Sequence, residues 1–363
     1  MFARSLRGQA RAFQSPKWRR YLSSPAQPET PAEPATRRYR KVVGCPEPRC
    51  PCAPTPKLPD GLEIDRTTPF GHSMPRYDEQ VVICTGKTDW PSRIEDDADG
   101  HNLAADLKKL IGAGGSMNDP FNNISILNSS FAPSVPKREE AHNASAYLLP
   151  SFTYVPYLPR ESPASVEALV KGYLLAEKPH PAHKAEYHLA RKAITRKPSY
   201  RKLLSGVRPV EDVLVLICGH GGRDQRCGIF GPVLKDEFET RLRARGVEVL
   251  TGPEPDRDYG VPKVKAAGDE DEERQRFKIP AARVGLISHI GGHKYAGNVI
   301  IYVPPKAKTQ SGWPHLLGGH GIWYGRVEPR HVDGIVTETI LEGNIIEELF
   351  RGGVDQKRRS IEL

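Results

Sequence analysis

Short, fully apolar runs alternating with segments of helical period predict a mixed α/β chain, an α+β arrangement built on a mixed sheet. Three observations carry this. Val213 to Ile217 (VLVLI) and Val299 to Val303 (VIIYV) are continuous apolar runs, the pattern of strands covered on both faces. Phe230, Val233, Leu234, Phe238 and Leu242 recur at helical spacing. The 363 residues, 38% of them hydrophobic, suffice for two domains with a core each.

The elements follow in order. A smaller N-terminal α/β domain is expected over residues 61–178. In it Gln80 to Thr85, Ile124 to Leu127 and the stretch Ala146 to Tyr157 read as strands, and Asn102 to Ile111 as a helix. A second helix runs from Pro163 to Leu175, with Val166, Leu169, Val170, Tyr173 and Leu174 on one face behind a Ser162 cap. Residues 179–210, rich in Lys, Arg, His and Pro, read as a linker. Its His180, His183 and His188 read as solvated surface groups.

The second domain is expected over 211–363. After Val213 to Ile217 comes the helix containing Phe230, closed by Gly246. Val247 to Leu250 gives the next strand, and Pro253 to Gln275, with its acidic run Asp269 to Glu273, a solvated insertion. Val284 to Ser288, Val299 to Val303 and Ile322 to Gly325 are further strands. Val332 to Leu349 is expected to be helical, stopped by Gly352 and Gly353. The order β-α-β-loop-β-β-(β)-α is compatible with a thioredoxin-like domain, though other folds share it. The first domain is then either a degenerate copy of the second or a docking module.

Charge is concentrated at the N-terminus. The chain carries a net +9, but residues 1–41 hold ten Lys/Arg and two Glu, leaving 43 basic and 42 acidic groups elsewhere. A nearly neutral body argues against nucleic acid as a partner. Met1 to Pro28 contains no acid, and its arginines interleave with Phe2, Leu6, Phe13, Trp18 and Leu22. This is the pattern of a mitochondrial transit peptide over 1–25, with Arg20-Tyr21-Leu22-Ser23 similar to a processing site; the plainer reading is a disordered basic tail. No 18-residue apolar stretch predicts an integral membrane segment. The matrix is favoured over the intermembrane space. Thiols there are reduced, so the six cysteines are expected to be free or metal-bound.

Residues 26–60 form a Pro-rich flexible segment holding Cys45, Cys50 and Cys52. These could bind a soft metal or exchange disulfides, or be exposed thiols without a role. Gly86-Lys87-Thr88 lacks the phosphate-cradling glycine, since Val81 stands five residues earlier, and Gly112-x-Gly114-Gly115 follows a helix rather than a strand. Cys84, amid Val81, Val82 and Ile83, reads as packed core.

Cys218 and Cys227, spaced C-x8-C, are answered by His289 and His293, spaced H-x3-H, each pair following an apolar strand. Two thiolates and two imidazoles make a four-ligand metal set. Glycines 219, 221, 222, 228, 291, 292 and 297 surround it, allowing close backbone approach. His220, His315 and His320 lie near glycine-rich loops too, but spacing favours His289 and His293.

The segments Cys218-Gly-His-x-x-Arg223-Asp224-x-Arg226-Cys227-Gly228 and His289-x-Gly-Gly-His293-Lys-Tyr295-Ala-Gly297-Asn298, with Trp323-Tyr-Gly-Arg326-Val-x-Pro329, resemble the thioredoxin-like [2Fe-2S] ferredoxins. More closely they are similar to the sucrase/ferredoxin-like branch, loosely also at Thr85-Gly86-Lys87-x-x-Trp90-Pro91. The resemblance implies a [2Fe-2S] cluster with Cys218 and Cys227 on one iron and His289 and His293 on the other, where the wider class uses four cysteines. It implies an electron carrier serving protein redox partners, rather than an enzyme with its own substrate, in redox or iron-sulfur homeostasis. Arg223, Arg226, Tyr295 and Arg326 would surround the cluster, Trp323 and Arg326 either shaping a docking surface or packing an edge strand on the last helix. Two alternatives stand beside it. The same four residues complete a tetrahedral zinc site, and a thiol-disulfide protein could use the N-terminal cysteines, although C-x-x-C is absent. Hydrolysis finds no G-x-S-x-G elbow.

Overall fold

Among the described residues eleven strands share one sheet, and its alternating faces explain the apolar runs. The computed structural model describes residues 39–49, 51–134, 143–185, 188–254 and 281–363. The expected transit peptide, most of the acidic insertion, Cys50 and residues 26–38 of the Pro-rich segment lie outside them.

The strands are β1 (Lys41–Val42), β2 (Glu79–Cys84), β3 (Ile124–Ser129), β4 (Asn143–Leu149), β5 (Thr153–Pro159), β6 (Arg208–Pro209), β7 (Val213–Cys218), β8 (Glu248–Val249), β9 (Ala281–Ile287), β10 (Val299–Val303), β11 (His320–Tyr324), β12 (Ile345–Ile346) and β13 (Phe350–Asp355). The α-helices are α1 (Leu103–Ile111), α2 (Pro163–Leu169), α3 (His188–Ala193), α4 (Gln225–Ala244) and, as α5, Pro329–Gly334. The main sheet runs β13-β11-β10-β7-β9-β3-β2-β4-β5-β6, with β8 beside β9. Tyr39–Leu363 makes one compact unit. Among the described residues no helix is long and apolar enough to cross a membrane.

The strand order is a palindrome about β9 and β3. In the second half β7 pairs β9 in parallel and β10 antiparallel, and β10 pairs β11 antiparallel. In the first half β2 pairs β3 in parallel and β4 antiparallel, and β4 pairs β5 antiparallel. Helices fall in the same places: α1 and α4 between the parallel strands, α2 and α5 after the fourth strand, each continuing into π-helical turns at Val170–Leu174 and Ile335–Glu342. The first half therefore repeats the topology of the second. The halves join through Ser129 and Ile287, paired antiparallel.

The sheet folds over on itself. In β7, Val213, Val215 and Ile217 pack under α4 and α5, while Leu214, Leu216 and Cys218 face the other half. In β2, Val81 and Ile83 pack under α1 and α2, while Val82 and Cys84 face inward. Four strand spacings separate β10 from β2, about 19 Å if flat, yet the Tyr302 hydroxyl donates to Gln80 Oε1 at 3.1 Å. The layers are helix, sheet, sheet, helix. Both faces of each central strand meet apolar groups, so the runs need no polar alternation.

Three expectations are corrected. Gly352 and Gly353 stop no helix. They lie in β13, where an added Cβ would sit 2.7 Å from Met74 Cβ and 2.6 Å from Ile361 Cδ1, so close packing rather than strand propensity selects glycine. The last helix ends instead at Gly343, φ +78°. His183 is no solvated group: it is buried, its Nε2 2.9 Å from Asp119 Oδ1. Trp323 neither docks a partner nor packs on the last helix. It is 2% exposed between the two sheets, donating from Nε1 to Tyr77 Oη at 3.1 Å.

Candidate metal centre

Parallel neighbours end together, and this brings the two predicted loops to the same end of the sheet. β7 and β9 are in register with Cys218 opposite Ile287, so the loops that follow them emerge side by side at the carboxyl end of the sheet, where α/β folds build their sites. Cys218 is the last residue of β7, held by its N–H to Asn298 O at 2.9 Å. The chain then turns through Gly219 to Asp224, which caps α4 by accepting from Arg226 N–H at 3.0 Å. Cys227 lies inside the first turn of α4. Helix and loop touch closely: a Cβ on Gly228 would lie 2.6 Å from Gly221 Cα.

Both thiols are buried, Cys218 and Cys227 at 1% exposure each. The Cys227 thiol hydrogen-bonds Cys218 and the His289 imidazole lies beside it, holding Cys218 well below the usual thiol range despite burial. Cys227 is pushed up correspondingly, first by sharing that proton and then by desolvation. The His289 and His293 rings lie 5.1 Å apart. Nδ1 of each is buried without a hydrogen-bond partner. Buried polar atoms are rarely left so, and two orphaned imidazole nitrogens, that of His289 beside the buried thiols, are donors of the type a metal or cluster takes. His293 is partly exposed, and its Nε2 faces Asp224 Oδ2 at 3.9 Å. Desolvation lowers its pKa against the pull of Asp224. Among the described residues no group of three or more His, Cys, Asp or Glu converges as a single bound ion requires.

The surrounding residues divide. Arg226 is committed to Asp224, with Nη2 to Oδ2 at 2.9 Å, and reaches Glu63 O at 3.1 Å. Arg223 donates to Ser92 Oγ at 3.0 Å. Arg326 donates to Asp65 O and Thr68 O and lies over the Phe70 and Tyr295 rings. The Tyr295 ring packs against Phe70.

Sequence reasoning missed Arg351, Asn298 and Asp89. Arg351, 1% exposed, donates to Asn298 Oδ1 at 2.7 Å, and Asn298 Nδ2 donates to Gly292 O at 3.0 Å, bracing the loop between the histidines. Burial lowers the Arg351 pKa to about 10. Nothing near Arg351 in sequence marks it. Asn298 stood in the motif without a role.

The other candidate histidines are engaged by backbone groups. His320 starts β11 opposite Val303, at the far end of the sheet, with Nδ1 to Gly318 O at 2.9 Å. His315 Nε2 donates to Ile340 O at 3.0 Å. His220 has both ring nitrogens engaged in hydrogen bonds to backbone.

Comparison with known proteins agrees with the second half's motifs and extends beyond them. The family model described as sucrase/ferredoxin-like matches residues 70–352. Altered inheritance of mitochondria protein 32 of Debaryomyces hansenii is 30% identical over 326 residues, 88% of this chain and 98% of that protein. The protein of the same name from Meyerozyma guilliermondii is 28% identical over 87% of this chain and 96% of its own. Actin patches distal protein 1 of Saccharomyces cerevisiae is 34% identical over 131 residues, 36% of this chain and 30% of that protein. No solved structure matches the chain.

Proposed function

The chain belongs to the sucrase/ferredoxin-like family, and from that membership we propose that it is a mitochondrial one-electron carrier holding a [2Fe-2S] cluster on Cys218, Cys227, His289 and His293. The observation that carries the reading is the pair of orphaned, buried Nδ1 atoms of His289 and His293, with His289 beside two buried thiols that hydrogen-bond each other. Such a cluster takes up and releases one electron, and ligation by two imidazoles in place of thiolates sets potentials in the range of about −150 to +300 mV rather than about −400 mV. The mitochondrial placement rests on the relatives' names and the acid-free, Arg-rich start.

The chain's own residues have definite parts in this reading. Cys218 and Cys227 supply the anionic donors, and the inter-sheet core behind them excludes water. Arg351 and Asn298 fix the histidine loop. His293, partly exposed and facing Asp224, is the imidazole through which a proton would exchange as the electron count changes. Electron donors and acceptors would be proteins approaching on that exposed side.

The competing readings fare less well. A zinc ion would draw all four donors around one point, whereas each iron of a two-iron cluster would take two protein donors beside its bridging sulfides; the family membership favours the cluster. Thiol exchange at Cys45 is disfavoured because burial pushes its pKa up to about 12.

Iron and acid-labile sulfide assay with low-temperature EPR on anaerobically purified full chain tests the proposal. Stoichiometric iron and sulfide are expected, lost in Cys218→Ser, with His289→Cys lowering the potential by on the order of 100 mV or more. Colourless protein with zinc and no sulfide would replace the cluster with zinc.

A further inference from the structure

The loop that carries Cys218 does not stand on its own half of the fold. His220, 1% exposed, reaches across to the first half: its Nε2 lies 3.0 Å from Trp90 O and 3.0 Å from Pro91 O. Both partners are carbonyls, so Nε2 carries the proton. Its Nδ1 then has a free lone pair, and the backbone N–H of His289 donates to it at 3.0 Å. One neutral ring therefore joins three segments: the cysteine loop, the histidine loop and the Asp89–Pro91 turn.

A second tie runs parallel to the first. The Gly222 N–H donates to the Asp89 carboxylate, 3.1 Å from each oxygen, and the Trp90 ring stands edge-on to His220 with centroids 5.8 Å apart. Trp90 is itself fixed, its Nε1 donating to Thr85 Oγ1 at 3.1 Å. Every one of these contacts spans more than sixty residues of sequence except the last.

We infer that His220 is a positioning residue and that the Asp89–Trp90 turn of the first half is the outer brace of the metal centre, setting the separation of the cysteine and histidine loops. The inference rests on the cluster reading for its purpose, but not for its geometry. It gives the first half, which lacks ligands of its own, a part in the site. Removing an outer-shell partner of a metal ligand commonly lowers metal affinity 10- to 100-fold.

The side chain can be divided by substitution. Asn at position 220 retains an acceptor near Nδ1 but falls short of Trp90 O and Pro91 O; Gln reaches toward those carbonyls but loses the acceptor. Hydrogen exchange by mass spectrometry on the full chain as purified should show His220→Asn freeing the 89–92 peptide while the His289 amide stays protected. His220→Gln should free the His289 amide, and Asp89→Ala, which removes the acceptor, the Gly222 amide, each by about tenfold. Iron release to a chelator should accelerate at least tenfold in His220→Gln. Unchanged exchange in all three variants overturns the inference. So does unfolding of both His220 variants at ambient temperature, which would make the ring a general core element. If the wild type holds no iron or sulfide, the cluster reading falls, while the exchange pattern alone still decides whether His220 ties the loops.

Discussion

Cys84 ends β2 where Cys218 ends β7, so the two thiols occupy the same place in two copies of one topology. Cys84 is in register with Ser129 and Cys218 with Ile287, and Ser129 and Ile287 are themselves paired across the junction of the halves. Beyond this point the copies diverge. Phe131 stands two residues past Ser129 where His289 stands two past Ile287, and Arg93 stands nine past Cys84 where Cys227 stands nine past Cys218. The first half keeps one thiol of the four candidate ligands.

Cys84 should therefore be inert. It is 4% exposed, and desolvation raises its pKa far above the thiol range, so little thiolate is present to react. Iodoacetamide on the native chain is expected to leave Cys84 unmodified until denaturant is added, and Cys84→Ala to retain wild-type iron. Rapid native alkylation of Cys84, read by peptide mass, would contradict this.

Gly222→Ala should damage the site more than the fold. Its Cβ would stand 2.3 Å from Trp90 O, so the cysteine loop must lift from its brace. Overpacking of this kind costs about 1–3 kcal/mol. Thermal melting is expected to shift by only a few degrees, while iron content falls by half or more. A variant with normal iron content would show that the loop relaxes without consequence.

His315 should make stability pH-dependent. Buried at 4% exposure, it donates from Nε2 to Ile340 O and accepts at Nδ1 from Leu317 N–H at 3.1 Å. Burial, with a smaller push from nearby His320, lowers its pKa from 6.5 to about 4. The folded chain thus keeps it neutral while the unfolded chain protonates it near 6.5, so its contribution is complete above 6.5 and is lost as pH falls toward 4. The loss reaches at most about 3 kcal/mol. Urea midpoints between pH 7.5 and 4.5 should fall less in His315→Gln than in the wild type. Parallel slopes would dismiss the assignment.

Local patterning made much of this legible. The helix read over Asn102 to Ile111 forms from Leu103, with Asn102 as its cap, Oδ1 accepting from Ala105 N–H at 2.9 Å, and the helix after Pro163 spans the expected residues, though Val170–Leu174 widens to π-helical turns. The strands at Val213 and Val299 appear within a residue. β13 was illegible because its glycines answer to Met74 and Ile361, side chains remote in sequence. Whether the first half is a degenerate copy of the second stayed open in the sequence because matching the halves needs strand pairing, which composition does not record.

The residue types of the candidate centre were a property of the sequence alone: C-x8-C and H-x3-H name the donors, since ligand chemistry resides in side chains. Their setting was a matter of tertiary structure. Parallel pairing of β7 with β9 places both loops at one end of the sheet, and folding of the sheet brings Trp90 and Asp89 against them. Arg351 reaches Asn298 from 53 positions away. Hydrogen bonds of that kind depend on where backbones pass in space, and no local spacing encodes it.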